Sequence, residues 1–293
     1  MNDRKKQVLL IAQRLFVEKG FLSTSIQDIL EESQISKGTF YNYFSSKNEC
    51  LMAILENGRN ETIIRRREIL IEQSPADKNI LVKQISIRQQ VNRDYNLLPI
   101  FEAVFHSGDP DLSAFAKKHH LAEISWLTER LVDVYGIQVK PHAPDCAILL
   151  MGMLQHMSHV LMARPTEDID STELVKFIMR RMDSIIPDVV QTKDQLLPET
   201  TFSTIDVIFD HKTKKQLLSM MTDFASMLPD EESLRSSQYI EFIIEELNAA
   251  LPRTFLLETV TRSFREAFVD TPYETESEKI AAALWKYFDT LKK

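Results

Sequence analysis

The sequence predicts an all-α protein, and three observations carry that reading. Glycine is scarce, with 6 in 293 residues. Alternating Val/Ile/Thr runs, the mark of half-buried strands, are few. Apolar residues instead recur at three- and four-residue spacing through most of the chain. This length suits two domains or one large helical body. A hydrophobic share of 44% is ordinary for a soluble globular protein, so a real core can form. No apolar run approaches the roughly 18 residues that would mark a transmembrane helix. The basic start, Arg4-Lys5-Lys6, leads into an amphipathic stretch with Gln13, Arg14 and Glu18, not into a signal peptide. Two cysteines, Cys50 and Cys146, are too few for a disulfide framework and suit a reducing cytoplasm.

Charge is unevenly spread. The formal net charge is −8, and residues 194–293 carry 11 Lys/Arg against 18 Asp/Glu, so −7 of it lies there. Residues 1–50 carry 7 Lys/Arg against 6 Asp/Glu. Screening over about 8–10 Å keeps the acidic portion from cancelling a local basic face elsewhere. The distribution therefore permits nucleic-acid binding without requiring it.

Residues 3–19 form an amphipathic helix, with Val8, Ile11, Ala12, Leu15 and Phe16 on one side. Gly20 ends it, and Phe21 can join the same small core. Ser25 can then cap a second helix, with Asp28 three residues on as an approximate capping box. Ile26, Ile29 and Leu30 share a face of that helix. Ser33-Gln34-Ile35 breaks the pattern, Ile35 turns inward, and Ser36 caps a third helix. Phe40, Tyr43 and Phe44 make that helix's apolar side; Lys37, Thr39, Tyr41 and Asn42 make its polar side. A short helix with a small, singly basic face, braced by another helix, is the shape of a major-groove reader.

The apolar first helix, Gly20-Phe21, Thr24-Ser25-Ile26, Asp28-Ile29 and the run Ile35-Ser-Lys-Gly-Thr-Phe-Tyr-Asn-Tyr-Phe44 followed by Ser46-Lys47 resemble the N-terminal DNA-binding domain of the TetR family of bacterial repressors. The resemblance covers roughly residues 5–52. It departs at Gln34, where the family usually has glycine; a positive φ there would cost about 1 kcal/mol relative to glycine. The resemblance implies residue roles. Thr24 and Ser25 touch phosphates, while Ser36, Lys37, Gly38 and Thr39 open the recognition helix. Lys37 and Thr39 are the first candidates for base edges, Asn42 the second, and Tyr41 meets a base methyl or a phosphate. Tyr43 and Lys47 clamp phosphate. Gly38 also has a physical reason, since a bare backbone approaches the groove closely.

A long fourth helix is expected over 47–72, with Gly58 inside it and a basic cluster, Arg59 and Arg65-Arg66-Arg67, along it. In the family this helix links the head to the ligand body. Helices follow at about 77–94, at Ile100–His106, and from Asp109-Pro110 to Tyr135-Gly136. A nearly apolar helix spans 145–163, and another runs from Ser171 to Ile186 with Pro187 after it. The resemblance implies that these last two form a homodimer interface. Residues 187–210 read as a connector. Four more helices are expected at about 211–228, 231–250, 252–269 and 275–292, exceeding the usual family length. The division expected is a head at 1–47, a ligand-binding and dimerisation body at 48–193, and an additional helical region at 194–293.

Candidate lining residues for a pocket in the body are Tyr95, Phe101, Glu102, Phe105, His106, Trp126, Met151, Gln155 and His156, which suit a greasy or aromatic effector; each is also ordinary core material. His119-His120 and His156-x-x-His159 invite a metal reading, but no cysteine or carboxylate supports them, so no metal or cofactor is expected. No Gly-rich phosphate loop or Gly-x-Ser-x-Gly elbow is present, and Cys146 beside Asp145 and near His142 reads as an inert thiol, so no enzyme is expected. The expected function is a dimeric repressor on double-stranded operator DNA, palindromic in sequence and released by a small hydrophobic effector. It would be cytoplasmic, with the nucleoid when bound. The alternative is a DNA-bound interaction protein whose acidic C-terminal helices recruit a protein partner.

Overall fold

The computed structural model describes residues 3–97, 100, 101, 104, 108–162, 170–202, 212–229 and 234–291. Among them there are helices and turns but no strand. They fall into two compact units that interleave along the chain: residues 1–71, 96–103 and 211–293 form one, and residues 72–95 and 104–210 form the other.

The first unit begins with α1 (Asp3–Glu18), α2 (Ile26–Ser33), α3 (Lys37–Tyr43) and α4 (Lys47–Glu68). Val8, Ala12, Leu15, Phe16, Phe21, Ile29, Leu30, Phe40, Phe44 and Leu51 are all buried, so each helix turns its apolar stripe inward. Phe21 meets Phe16 edge-on, with ring centroids 5.1 Å apart. Gly20 sits at φ 84°, a left-handed setting that favours glycine. Helix α4 is continuous through the buried Gly58, whose carbonyl accepts the Thr62 hydroxyl at 2.9 Å.

The C-terminal part of this unit is α9 (Lys214–Met227), α10 (Leu234–Asn248), α11 (Thr254–Ala267) and α12 (Glu274–Leu291). Thr213 and Gln216 form a capping box at α9. These helices share a core of Leu217, Met221, Phe224, Ile243, Leu257, Phe264, Phe268, Leu284, Trp285 and Phe288, which Ile64 of α4 joins. Helix α12 lies along α4.

The second unit holds α5 (Lys78–Asp94), α6 (Pro110–Tyr135), α7 (Ala143–Met162) and α8 (Ser171–Thr192). Asp77 caps α5, and Asp109 caps α6 with Pro110 in its first turn. A 3-10 turn over Ile137–His142 precedes α7. Pro187 does not end α8, as was expected; the helix runs on to Thr192. Proline removes one N–H donor. Val189 and Val190 beyond it pack against the unit's core, and Lys193 closes the helix at φ 58°. The connector expected from 187 thus starts later, and Phe202 in its 3-10 turn is itself buried. The short helix expected at Ile100–His106 lies mostly outside the described residues, as do 203–210.

Candidate nucleic-acid interface

The α2 start is built as a closed network. Ser25 accepts from the Asp28 N–H at 3.1 Å, and the Asp28 carboxylate accepts from the Ser25 N–H at 2.7 Å, completing the capping box. Lys19 donates to the other carboxylate oxygen at 2.8 Å. The Lys19 and Ser25 hydrogen bonds hold the Asp28 carboxyl well below the usual carboxylate range. Thr24 is fully buried. Its hydroxyl points to the Gly20 and Leu15 carbonyls at 2.9 and 3.2 Å, and its N–H donates to Gly20 O at 3.1 Å. Thr24 therefore offers no donor outward, because the α1–α2 loop uses both.

Lys47 is likewise engaged within the head. Its ammonium donates to the Phe21 and Thr24 carbonyls, both at 2.8 Å, and sits 4.4 Å from the centre of the Phe21 ring. Burial pulls its pKa below the ordinary lysine value. An ammonium has three donors, so one remains for an outside acceptor. Two main-chain carbonyls at this sequence distance leave no local pattern.

Between α2 and α3 the turn hinges on Gln34, at φ 50° and ψ 46°. This is the left-handed setting in which glycine is favoured, so the departure noted in the sequence is a strained residue. Ile35 N–H closes back on Leu30 O at 3.1 Å. Arg14 pairs with Glu32 across α1 and α2, fixing the supporting helix.

Helix α3 then presents its polar side outward. Ser36 accepts from the Thr39 N–H at 3.1 Å, and the two hydroxyls lie 2.9 Å apart. Ser36, Lys37, Gly38, Tyr41 and Asn42 are exposed; Thr39 and Tyr43 are half-buried. Lys37 has no hydrogen-bond or ion-pair partner among the described residues. A methyl group added at Gly38 would have Ser36 Oγ as its nearest neighbour at 3.7 Å, an ordinary contact. The head's own packing therefore does not require glycine there. Phe40 and Phe44, with ring centroids 5.6 Å apart, anchor the opposite side.

Elsewhere, Met151 is buried in the second unit's core and Trp126 packs against it half-buried. Gln155 and His156 are exposed, and Tyr95 is half-buried. Phe101 belongs to the first unit. Glu102, Phe105 and His106 lie outside the described residues. The second unit also holds polar groups absent from the sequence-based set. Arg88 pairs with Glu123 at 3.2 Å and reaches Met151 Sδ at 4.0 Å, while Gln155 and His120 stand 3.5 Å apart. Burial lowers the His120 pKa. The spacing of His120 and Glu123 on one helix was the available signal. Cys146 is buried, and its thiol is pushed up to about 11 by burial and by Asp145. Asp145 accepts the Leu196 N–H at 2.9 Å, and His142 is 3.0 Å from Asp194 O.

The family profile described as bacterial regulatory proteins, tetR family, matches residues 9–54, which span α1 to the start of α4. That match assigns the N-terminal head, residues 9–54, to the tetR family of bacterial regulatory proteins. An uncharacterized HTH-type transcriptional regulator, YuxN, of Bacillus subtilis (strain 168) is 22% identical over 278 residues, covering 91% of this chain and 94% of its own. A second from the same organism, YerO, is 28% identical over 191 residues, 64% of this chain and 65% of its own. The HTH-type transcriptional regulator EthR of Mycolicibacterium smegmatis is 29% identical over 117 residues, 39% of this chain and 49% of its own. No solved structure matches this chain. No helix among the described residues is long and apolar enough to cross a membrane.

Proposed function

We propose that this TetR-type regulator is a homodimeric repressor that reads a palindromic operator through α3 and is released by a small hydrophobic or aromatic effector. The observation that carries the reading is the exposed set Ser36, Lys37, Gly38, Tyr41 and Asn42, held on one rigid short helix with Lys37 unpaired. Lys37 can donate to a guanine edge and Asn42 to an adenine edge, while Tyr41 can meet a thymine methyl or a phosphate. Ser25, Thr39 and Tyr43 fill supporting contacts. Thr24 and Lys47 serve mainly by holding the α1–α2 loop, with Lys47's remaining donor directed to phosphate.

Two such heads must meet successive turns of the groove about 34 Å apart, which calls for a dimer. Support for the dimer is the exposed apolar set Ile148, Leu149 and Val160 around Gly152 on α7, with Phe177 on α8. A monomer rarely leaves so many large apolar groups on neighbouring helices unless another surface covers them. For the effector, Trp126 and Met151 offer apolar contact and the Arg88, Glu123 and His120 group offers polar handles, with Tyr95, Gln155 and His156 completing the proposed lining within the second unit. A few kcal/mol of differential affinity between two states suffices for release.

Selection from random duplexes tests this reading, followed by titration of the selected site with and without hydrophobic candidates. A palindromic site bound by two protomers is expected. Failure to prefer any sequence, in any state, overturns it.

A further inference from the structure

Helix α12 lies along α4, the helix that leaves the DNA-binding head, and charged side chains line the seam between them. Lys286 of α12 reaches Glu56 of α4 at 3.5 Å. Lys6 of α1 pairs with Glu274 of α12 at 2.5 Å. Arg65 pairs with Glu61, both on α4, at 2.5 Å, and the Glu61 side chain is only 12% exposed. Arg265 of α11 grips Glu68 of α4 through two bonds, at 2.8 and 3.0 Å. Each of these carboxylates has a cation as its mate. Glu278 of α12 differs: it is partly buried, with no ion pair or hydrogen bond of its side chain among the described residues. The charges that act on it most are Glu61 across the seam and Glu274 on its own helix, opposed by Lys6 and Arg265. Both cations already serve other carboxylates.

We propose that this seam is a proton-controlled latch: with Glu278 neutral the C-terminal helices seat firmly on α4, and with Glu278 ionised they seat loosely. A neutral carboxyl can be buried among apolar groups at modest cost, whereas an unpaired carboxylate beside two others cannot. Burial, then Glu61 and Glu274, push the Glu278 carboxyl up to about 7. The sign follows from linkage. The folded chain holds a proton that the unfolded chain releases near the ordinary value of about 4.3. The stabilising contribution is complete below that value, falls as pH rises, and is gone once pH passes the folded value near 7. Because α4 begins directly after the recognition helix, the latch sets how firmly the head is held. This last step rests on the proposed DNA-reading function.

The test uses the full chain and its Glu278→Gln variant, since glutamine keeps the shape of the neutral acid. Thermal melts between pH 5.5 and 8 need no DNA. The wild-type midpoint should fall by about 3 °C more than the variant's across this range. Equal pH dependence in both overturns the latch. The second arm measures affinity for a selected duplex over the same range at fixed salt. Affinity of the wild type should fall several-fold relative to the variant; a constant ratio overturns the link to the head. A wild type that selects no duplex at any pH overturns the DNA reading itself, and the melts alone then decide the latch.

Discussion

The starts of α2 and α3 look alike in sequence and differ in what they leave over. Each is a serine-capped helix with hydroxyls and a lysine nearby. At α2 the polar groups close on the chain: Thr24 on Leu15 and Gly20, Ser25 on Asp28, Asp28 on Lys19, and Lys47 on Phe21 and Thr24. At α3 the two hydroxyls meet each other, and Lys37, Tyr41 and Asn42 stay outward. A polar helix start is therefore no guide to a contact surface until its partners are known. The α2 end fixes the angle of the head; the α3 end is what the head offers.

Substitutions can break this contrast from either side. The largest effect is expected at Lys47→Met, which keeps the apolar stem but strips two carbonyls of their donor. A stability loss of about 2 kcal/mol should appear in denaturant melts, because unsatisfied groups cost more than a bond contributes. Lys37→Ala should do the opposite. Its melt should match the wild type within about 0.5 kcal/mol, while affinity for a selected duplex drops about tenfold. If Lys37→Ala destabilises the fold, or Lys47→Met weakens only DNA binding, the two regions have been assigned the wrong way round. The smallest effect is expected at Gln34→Gly, which relieves the left-handed residue between them. Stability should rise by about 0.5 kcal/mol, the strain relieved being offset in part by a freer unfolded chain.

The parts legible in sequence are those fixed by local chemistry. Caps at Ser25, Ser36, Asp77 and Asp109, the inward turn of Ile35 and the strained Gln34 all follow from residues within one turn of each other. Helix periodicity located the four C-terminal helices for the same reason. Long-range partners were not legible. Nothing near Thr24 says that its hydroxyl is used by Leu15, and nothing near Glu68 names Arg265 as its mate 197 residues later. Pro187 misled because a proline signals a helix end only when nothing beyond it has a core to join; Val189 and Val190 do. For the candidate site, the α3 face was readable because exposure follows from its period, whereas the internal use of Thr24 and Lys47 depends on a loop brought back from another helix.

The central claim is that the amino end of α3 meets DNA, and Gly38 tests it most directly. The head has room for a methyl group there, so Gly38→Ala should leave the melt unchanged or slightly raised, as helix propensity favours alanine by up to about 1 kcal/mol. Against a selected duplex in a titration at fixed salt, the account predicts a loss of about tenfold or more, because the added carbon stands where the groove wall must approach. An alanine variant that binds the same duplex as tightly as the wild type, with its fold intact, would contradict it.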